Sequence, residues 1–182
     1  MVIGITGSFG AGKGAVVHYL CSKKNFKHYS ASGFITEEII ARNLPVNRDT
    51  MTEVGNDLRK KHGPSYIIDT LYRRAKAEGE DAVIESLRAV AEVRSLKSLG
   101  GHVIGVSADA IARYKRSVGR NSAKDQVDFE TWKKQEKIES DNSDPTKQNI
   151  FKALEESDTI IENNGSLKEL RGKIETFLKT VE

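Results

Sequence analysis

The stretch Gly7-Ser8-Phe9-Gly10-Ala11-Gly12-Lys13-Gly14 decides how this chain is read. Its spacing is G-x-x-x-x-G-K, and its setting carries the meaning. The short, β-branched run Val2-Ile3-Gly4-Ile5 before it predicts a buried strand, and Ala15 to Leu20 after it opens a helix extending to about Lys24. A glycine-rich turn between a strand and a helix wraps an anion with successive backbone N–H groups. Its glycines allow positive φ and close approach, and the helix adds the positive end of its dipole. Gly7, Ser8, Phe9, Gly10, Ala11, Gly12, Lys13, Gly14 and Ala15 are therefore the expected nucleotide-binding residues, with the Lys13 ammonium aimed at the β- and γ-phosphate oxygens. Gly14 stands where a Walker A loop carries the Ser or Thr that binds Mg²⁺, so any metal must be held by phosphates, water and a carboxylate elsewhere.

Outward from the loop, strands and helices alternate. Strands are expected at Phe26–Ser30, Asp81–Glu85, Val103–Val106 and Thr159–Glu162. Helical patterns fill residues 31–78 in three pieces, with breaks near Asn43–Val46 and His62–Pro64 and with Thr50-x-x-Glu53 as a capping box for the middle piece. Further helices are expected over Ala89–Ser98, Asp109–Val118 and Phe129–Ser140. Another starts at Asp144-Pro145, and the last follows the capping box Ser166-x-x-Glu169. Such alternation predicts one α/β domain over residues 1–182: a parallel five-stranded sheet flanked by helices, with a helical insertion near 31–79 and a lid near 116–145.

Composition narrows the function classes. Of 182 residues, 37% are hydrophobic and 30% charged, enough for a core under a solvated surface, and the formal charge is only +3. That mild basicity suits an enzyme handling polyphosphates, and nucleic acid is not expected as a partner. No stretch approaches a membrane span, and the Gly-rich opening does not fit a signal peptide, so a cytoplasmic location is expected. Cys21 is the single cysteine and cannot form an intrachain disulfide; its apolar helical setting predicts a buried structural thiol. His18, His28, His62 and His102 lack metal-ligand spacing.

The loop, with glycine after its lysine, resembles that of adenylate kinases and related nucleoside monophosphate kinases. Val83-Ile84-Glu85-Ser86-Leu87-Arg88 looks like their second signature, a strand ending in Asp, then Gly, a short spacer and Arg. Over its whole length the chain is most similar to a largely archaeal family related to adenylate kinase and dephospho-coenzyme A kinase. The similarity runs through Gly55–Pro64, Glu85–Val93, Asp128–Glu139 and Ser157–Leu170. The resemblance implies ATP and Mg²⁺ as cofactors and a small phosphorylated acceptor, a nucleoside monophosphate first. By the same resemblance Glu85 would reach the metal through water and Arg88 would grip the acceptor phosphate. Ser32-Gly33 occupies the place of an acceptor-binding element but is followed by Phe34-Ile35-Thr36-Glu37 instead of the usual Asp and Arg, so the acceptor site is rebuilt.

Phosphoryl transfer relies on positioning and charge stabilisation, which calls for arginines. Arg113, Arg116 and Arg120 recur on one helical face leading into the lid, with Arg116 and Arg120 expected over the transferring group beside Lys13 and Arg88. Arg48 and Arg59 of the insertion are candidates, with Ser32, Gly33 and Arg88, for the acceptor. Trp132 and Phe129, at helical spacing, are expected to pack the lid. Two other readings stay open: a dephospho-coenzyme A kinase-like enzyme, and a nucleotide-binding switch that hydrolyses slowly.

Overall fold

A computed structural model describes residues 1–119, 127–140, 144 and 147–181, with Arg48, Gln135, Ile138 and Glu139 described by backbone alone. Five strands, β1 (Val2–Gly7), β2 (Lys27–Ser30), β3 (Ala82–Leu87), β4 (His102–Ser107) and β5 (Thr159–Glu162), form one sheet in the order β2-β3-β1-β4-β5. Every pairing is parallel. The helices are α1 (Lys13–Lys24), α2 (Ala31–Ala41), α3 (Arg48–His62), α4 (Tyr66–Glu78), α5 (Val90–Ser98), α6 (Ala110–Val118), α7 (Phe129–Ser140), α8 (Ile150–Glu155) and α9 (Leu167–Val181). Among the described residues no helix is long and apolar enough to cross a membrane.

The pleat of β1 sorts the core into two layers. Ile3 and Ile5 join Val16, Val17 and Leu20 of α1 and Leu170, Ile174 and Phe177 of α9 on one face. Ile84 and Leu87 of β3, Val93 and Leu96 of α5 and the apolar residues of α2 to α4 fill the other. Gly4 points into this second layer, where a Cβ would lie 2.4 Å from a methyl of Leu96. β1 is buried along its whole length, as a central parallel strand must be. Its neighbours β3 and β4 come from opposite directions of winding, so the crevice beyond their carboxyl ends is where ligands of such sheets bind.

Three local expectations are corrected. The middle insertion helix is capped by Asn47 and Thr50, whose side chains satisfy each other's backbone N–H groups, and not by a Thr50-Glu53 box. The helix expected from Asp144-Pro145 begins instead at Ile150, where the Asn149 side chain accepts the N–H of Lys152; Pro145 lies outside the described residues. Cys21 is half-buried; that partial burial, with the nearby Glu85 charge adding to it, pushes its thiol pKa upward.

Candidate active site

The loop after β1 owes its shape to three glycines. Gly7, Gly10 and Gly12 have φ of 147°, 76° and 100°, all in the region L side chains avoid. Each also faces a wall: a Cβ would lie 2.2 Å from the Val106 carbonyl at Gly7, 2.3 Å from the Arg113 carbonyl at Gly10, and 2.2 Å from the Asn163 amide at Gly12. Gly14 is different. It is exposed in the first turn of α1, with nothing within 4 Å of a built Cβ. The Lys13 ammonium donates to the carbonyls of Gly7 (2.8 Å) and Ser8 (3.1 Å), so it lies across the inside of the loop at the N-terminus of α1. A ring of backbone donors with a cation across it fits a polyphosphate.

Side chains from α6 and from the end of β5 lock the loop from behind. Asn163, buried, donates to the Ala11 carbonyl at 2.9 Å. Arg116 spans the Asn163 carbonyl (2.8 Å) and the Ala11 carbonyl (3.5 Å), which puts its guanidinium beside the loop. Arg113, 8% exposed, reaches the Phe9 carbonyl at 3.4 Å and forms a two-pronged ion pair with Glu136 of α7. Its guanidinium lies 5.1 Å from the Trp132 ring centroid. Trp132 stacks on Phe129 and meets Tyr114 edge-on, so an aromatic cluster fixes α7 to α6. The Arg113 partnership was not legible beforehand, because Glu136 and Phe9 lie far away in sequence. Arg120 lies outside the described residues.

The end of β3 carries a deformation that sets the second half of the site. Ile5 pairs with Glu85 and Thr6 with Leu87, so Ser86 is bulged out, with φ of 75°. Ser86 occupies the place of the glycine in the resembled Asp-Gly signature, and its backbone adopts a left-handed conformation suited to one. The Thr6 hydroxyl donates to the Leu87 carbonyl at 2.8 Å and closes the bulge. Arg88 follows directly. Its N–H is held by Glu92 at 2.7 Å, its carbonyl accepts the Asn149 N–H at 2.9 Å, and its guanidinium donates to Gln148 at 3.1 Å. Arg88 thus stands half-buried at the carboxyl end of the strand beside β1.

Glu85, on β3, stands three residues before Arg88. Its carboxylate pairs with His28 at 3.1 Å, and its charge is felt by the Cys21 thiol. Cys21 lies eight residues beyond Lys13 on α1, about 12 Å along the helix. Among the described residues no group of three His, Cys, Asp or Glu side chains could hold a metal ion. With Gly14 also lacking a hydroxyl, this donor set fits a polyphosphate but does not by itself make a Mg²⁺ site.

The insertion residues divide. Ser30 caps α2, accepting the Gly33 N–H at 3.1 Å and meeting the Ser32 hydroxyl at 2.9 Å. Ser30 pairs in register with Glu85, so Ser32 and Gly33 lie just past the carboxyl end of the sheet, on the side of Arg88. Arg59 is not at the surface: it is 2% exposed and bound through two nitrogens to the fully buried Glu92. Those two bonds make it an internal support and leave its Nη1 without a hydrogen-bond partner among the described residues. The Arg48 side chain lies outside what is described.

No protein-family profile matches the chain. It is 28% identical over 184 residues to a UPF0200 protein of Methanococcus maripaludis strain C7, an alignment covering 99% of this chain and 97% of that one. It is 26% identical over 205 residues to a dephospho-CoA kinase of Fusobacterium nucleatum, covering all of this chain and 98% of the other. In structure it is similar to a shikimate kinase of Acinetobacter baumannii, with a TM-score of 0.61 at 16% identity over 98% of this chain and 93% of that one. The fold is that of the P-loop kinases, and it is with that superfamily, broader than the nucleoside monophosphate kinases, that the chain has its kinship.

Proposed function

We propose that this protein is an ATP-dependent phosphotransferase that moves a γ-phosphate to a small phosphorylated acceptor, a nucleoside or deoxynucleoside monophosphate first. The observation that carries the reading is the pairing of two phosphate-type sites at adjacent strand ends. Lys13 lies across the loop after β1, and Arg88 is held from three sides after β3.

In this reading the loop N–H groups and the α1 dipole hold the donor phosphates, and Lys13 leaves its two carbonyl partners to bridge the β- and γ-oxygens. Arg116, at the Ala11 carbonyl, adds positive charge beside the loop. Arg88 exchanges Gln148 for two oxygens of the acceptor phosphate, a match its planar fork is built for. The attacking phosphate oxygen is already ionised, so no general base is required. A divalent cation would neutralise charge on the donor phosphates and would be held there chiefly by nucleotide oxygens and water.

A second reading is favoured by one finding, the full-length similarity to a dephospho-CoA kinase, whose name implies a different acceptor. One experiment separates these readings. ADP release from ATP is measured with nucleoside monophosphates, deoxynucleoside monophosphates, dephospho-coenzyme A and no acceptor, with Lys13→Ala as the blank. ADP formation stimulated by a monophosphate and abolished in Lys13→Ala is expected. Stimulation by dephospho-coenzyme A alone selects the second reading, and slow acceptor-independent release selects a nucleotide switch.

A further inference from the structure

Glu92 is the most completely buried acid in the described chain, with no exposed surface, and at the third position of α5 it accepts the N–H of Ala89, the residue that caps the helix. A buried carboxylate is costly unless its oxygens are filled with donors. Here both are. One oxygen accepts the Arg59 Nε at 2.9 Å and Nη2 at 2.8 Å; the other accepts the backbone N–H of Arg88 at 2.7 Å and of Ala89 at 3.0 Å. Arg59 comes from α3 of the insertion, 33 residues earlier in the chain. Its guanidinium passes against Gly55, where even a Cβ would stand 3.3 Å from Nη1. A single carboxylate therefore ties the insertion to the turn that presents Arg88.

We infer that Glu92 is a positioning residue for Arg88, and that Arg59 orients it, so that docking of the insertion and placement of the acceptor-phosphate arginine are one event. The inference rests on the acceptor reading of Arg88. Its physical basis is the geometry of the turn. Arg88 follows a bulge with a left-handed residue, and its N–H points back into the protein. Without an acceptor there, the buried N–H groups of Arg88 and Ala89 would be left unpaired, and the turn would have reason to reorganise. Arg59 holds the carboxylate turned so that its second oxygen meets those two groups.

Two double variants isolate this role from stability. Both remove the ion pair: Arg59→Met with Glu92→Met leaves the two N–H groups without an acceptor, whereas Arg59→Met with Glu92→Gln keeps a carbonyl oxygen for them. Replacing both partners of a buried pair avoids an uncompensated charge. Binding of inorganic phosphate is followed by ¹H–¹⁵N NMR at the Arg88 Nε and backbone resonances and, separately, at the Gly12 amide of the loop. Phosphate affinity read at Arg88 is expected to be at least tenfold weaker in the Met/Met variant than in the Met/Gln variant, with affinity at Gly12 the same in both. Affinities at Arg88 within twofold of each other would overturn the positioning role. A wild-type Arg88 that ignores phosphate while Gly12 responds would overturn the acceptor reading itself, and the inference with it. Should the Met/Met variant not fold, Glu92→Asp with Arg59 intact replaces it: the shorter carboxylate cannot span both partners, and the same tenfold loss at Arg88 is expected.

Discussion

Gly12 and Gly14 stand two residues apart, one ending the loop and the other inside the helix it opens, and the structure predicts opposite outcomes for the same substitution at each. At Gly12 an alanine must hold φ of 100°, a conformation that costs an L-residue about 1–2 kcal/mol. Its Cβ would also lie 2.2 Å from the Asn163 amide nitrogen, displacing the hydrogen bond that amide donates to Ala11; losing it costs about 1 kcal/mol more. The sum is roughly 2–3 kcal/mol, which for a chain of this length lowers Tm by about 4–12 °C. At Gly14 a Cβ meets nothing within 4 Å, and the residue lies inside α1, where alanine is favoured over glycine by up to about 1 kcal/mol. Gly14→Ala should therefore leave Tm unchanged or raise it by up to about 4 °C. The assay is a thermal melt of both variants with ATP titrated by calorimetry. Gly12→Ala is expected to lose nucleotide binding, because Ala11 and the loop move with Asn163, whereas Gly14→Ala retains it. Equal destabilisation by the two, or a greater loss at Gly14, would refute the account of the loop.

The other expectations concern Arg88, Glu85 and an acid-sensitive surface pair. Arg88→Lys should lower acceptor kcat/KM by tenfold or more with ATP affinity unchanged, because an ammonium cannot make the two parallel bonds of a guanidinium; steady-state kinetics checks it. Glu85→Gln should leave the Mg²⁺ concentration for half-maximal rate unchanged, since its carboxylate is turned to His28; a raised requirement would return Glu85 to the metal. Glu175 accepts from Lys24 at 2.9 Å and from the Tyr19 hydroxyl at 2.6 Å, and these bonds hold its carboxyl below the usual range. A lowered folded pKa means the stabilisation is present above the unfolded value of about 4.3 and is lost as pH falls through the folded one. Glu175→Gln should accordingly lower the urea midpoint at pH 7, with the difference from wild type shrinking as pH falls through the folded value; a gap that widens in acid would contradict it.

The sequence carried the fold because its signals are local. Val2–Ile5, the glycines and Lys13 lie in one continuous stretch, and each later strand is a short apolar run between polar turns. The orientation of side chains at the site was less legible, because it depends on partners far along the chain. Glu85 occupies the expected strand end, yet its direction is set by His28 across the sheet. Arg59 has the residue type of a surface ligand, and only the fold's bringing it from α3 to the buried Glu92 of α5 gives it a partner. Asn163, which holds Ala11, sits in an unremarkable Asn163-Asn164-Gly165 turn whose residue types suggest nothing beyond a loop. Ser86 is the instructive middle case. Its position in the resembled signature marked where a glycine stands, and the structure supplies the bulge that explains why one would be wanted there.

The central place of β1 also bears on how the chain is made. Val2 pairs with Ala82 on one side, and Ile3 with His102 on the other, so during synthesis β1 has no neighbour until the whole helical insertion and β3 have followed it. Helices α2 to α4 can begin to pack on one another meanwhile, through contacts close in sequence. Strand β1, with its run of valine and isoleucine, must wait exposed, and a ribosome stalled within the insertion would carry it unpaired. Truncated translation products of this protein are accordingly expected to be targets for chaperones, while the released full-length chain closes its sheet from both sides of β1.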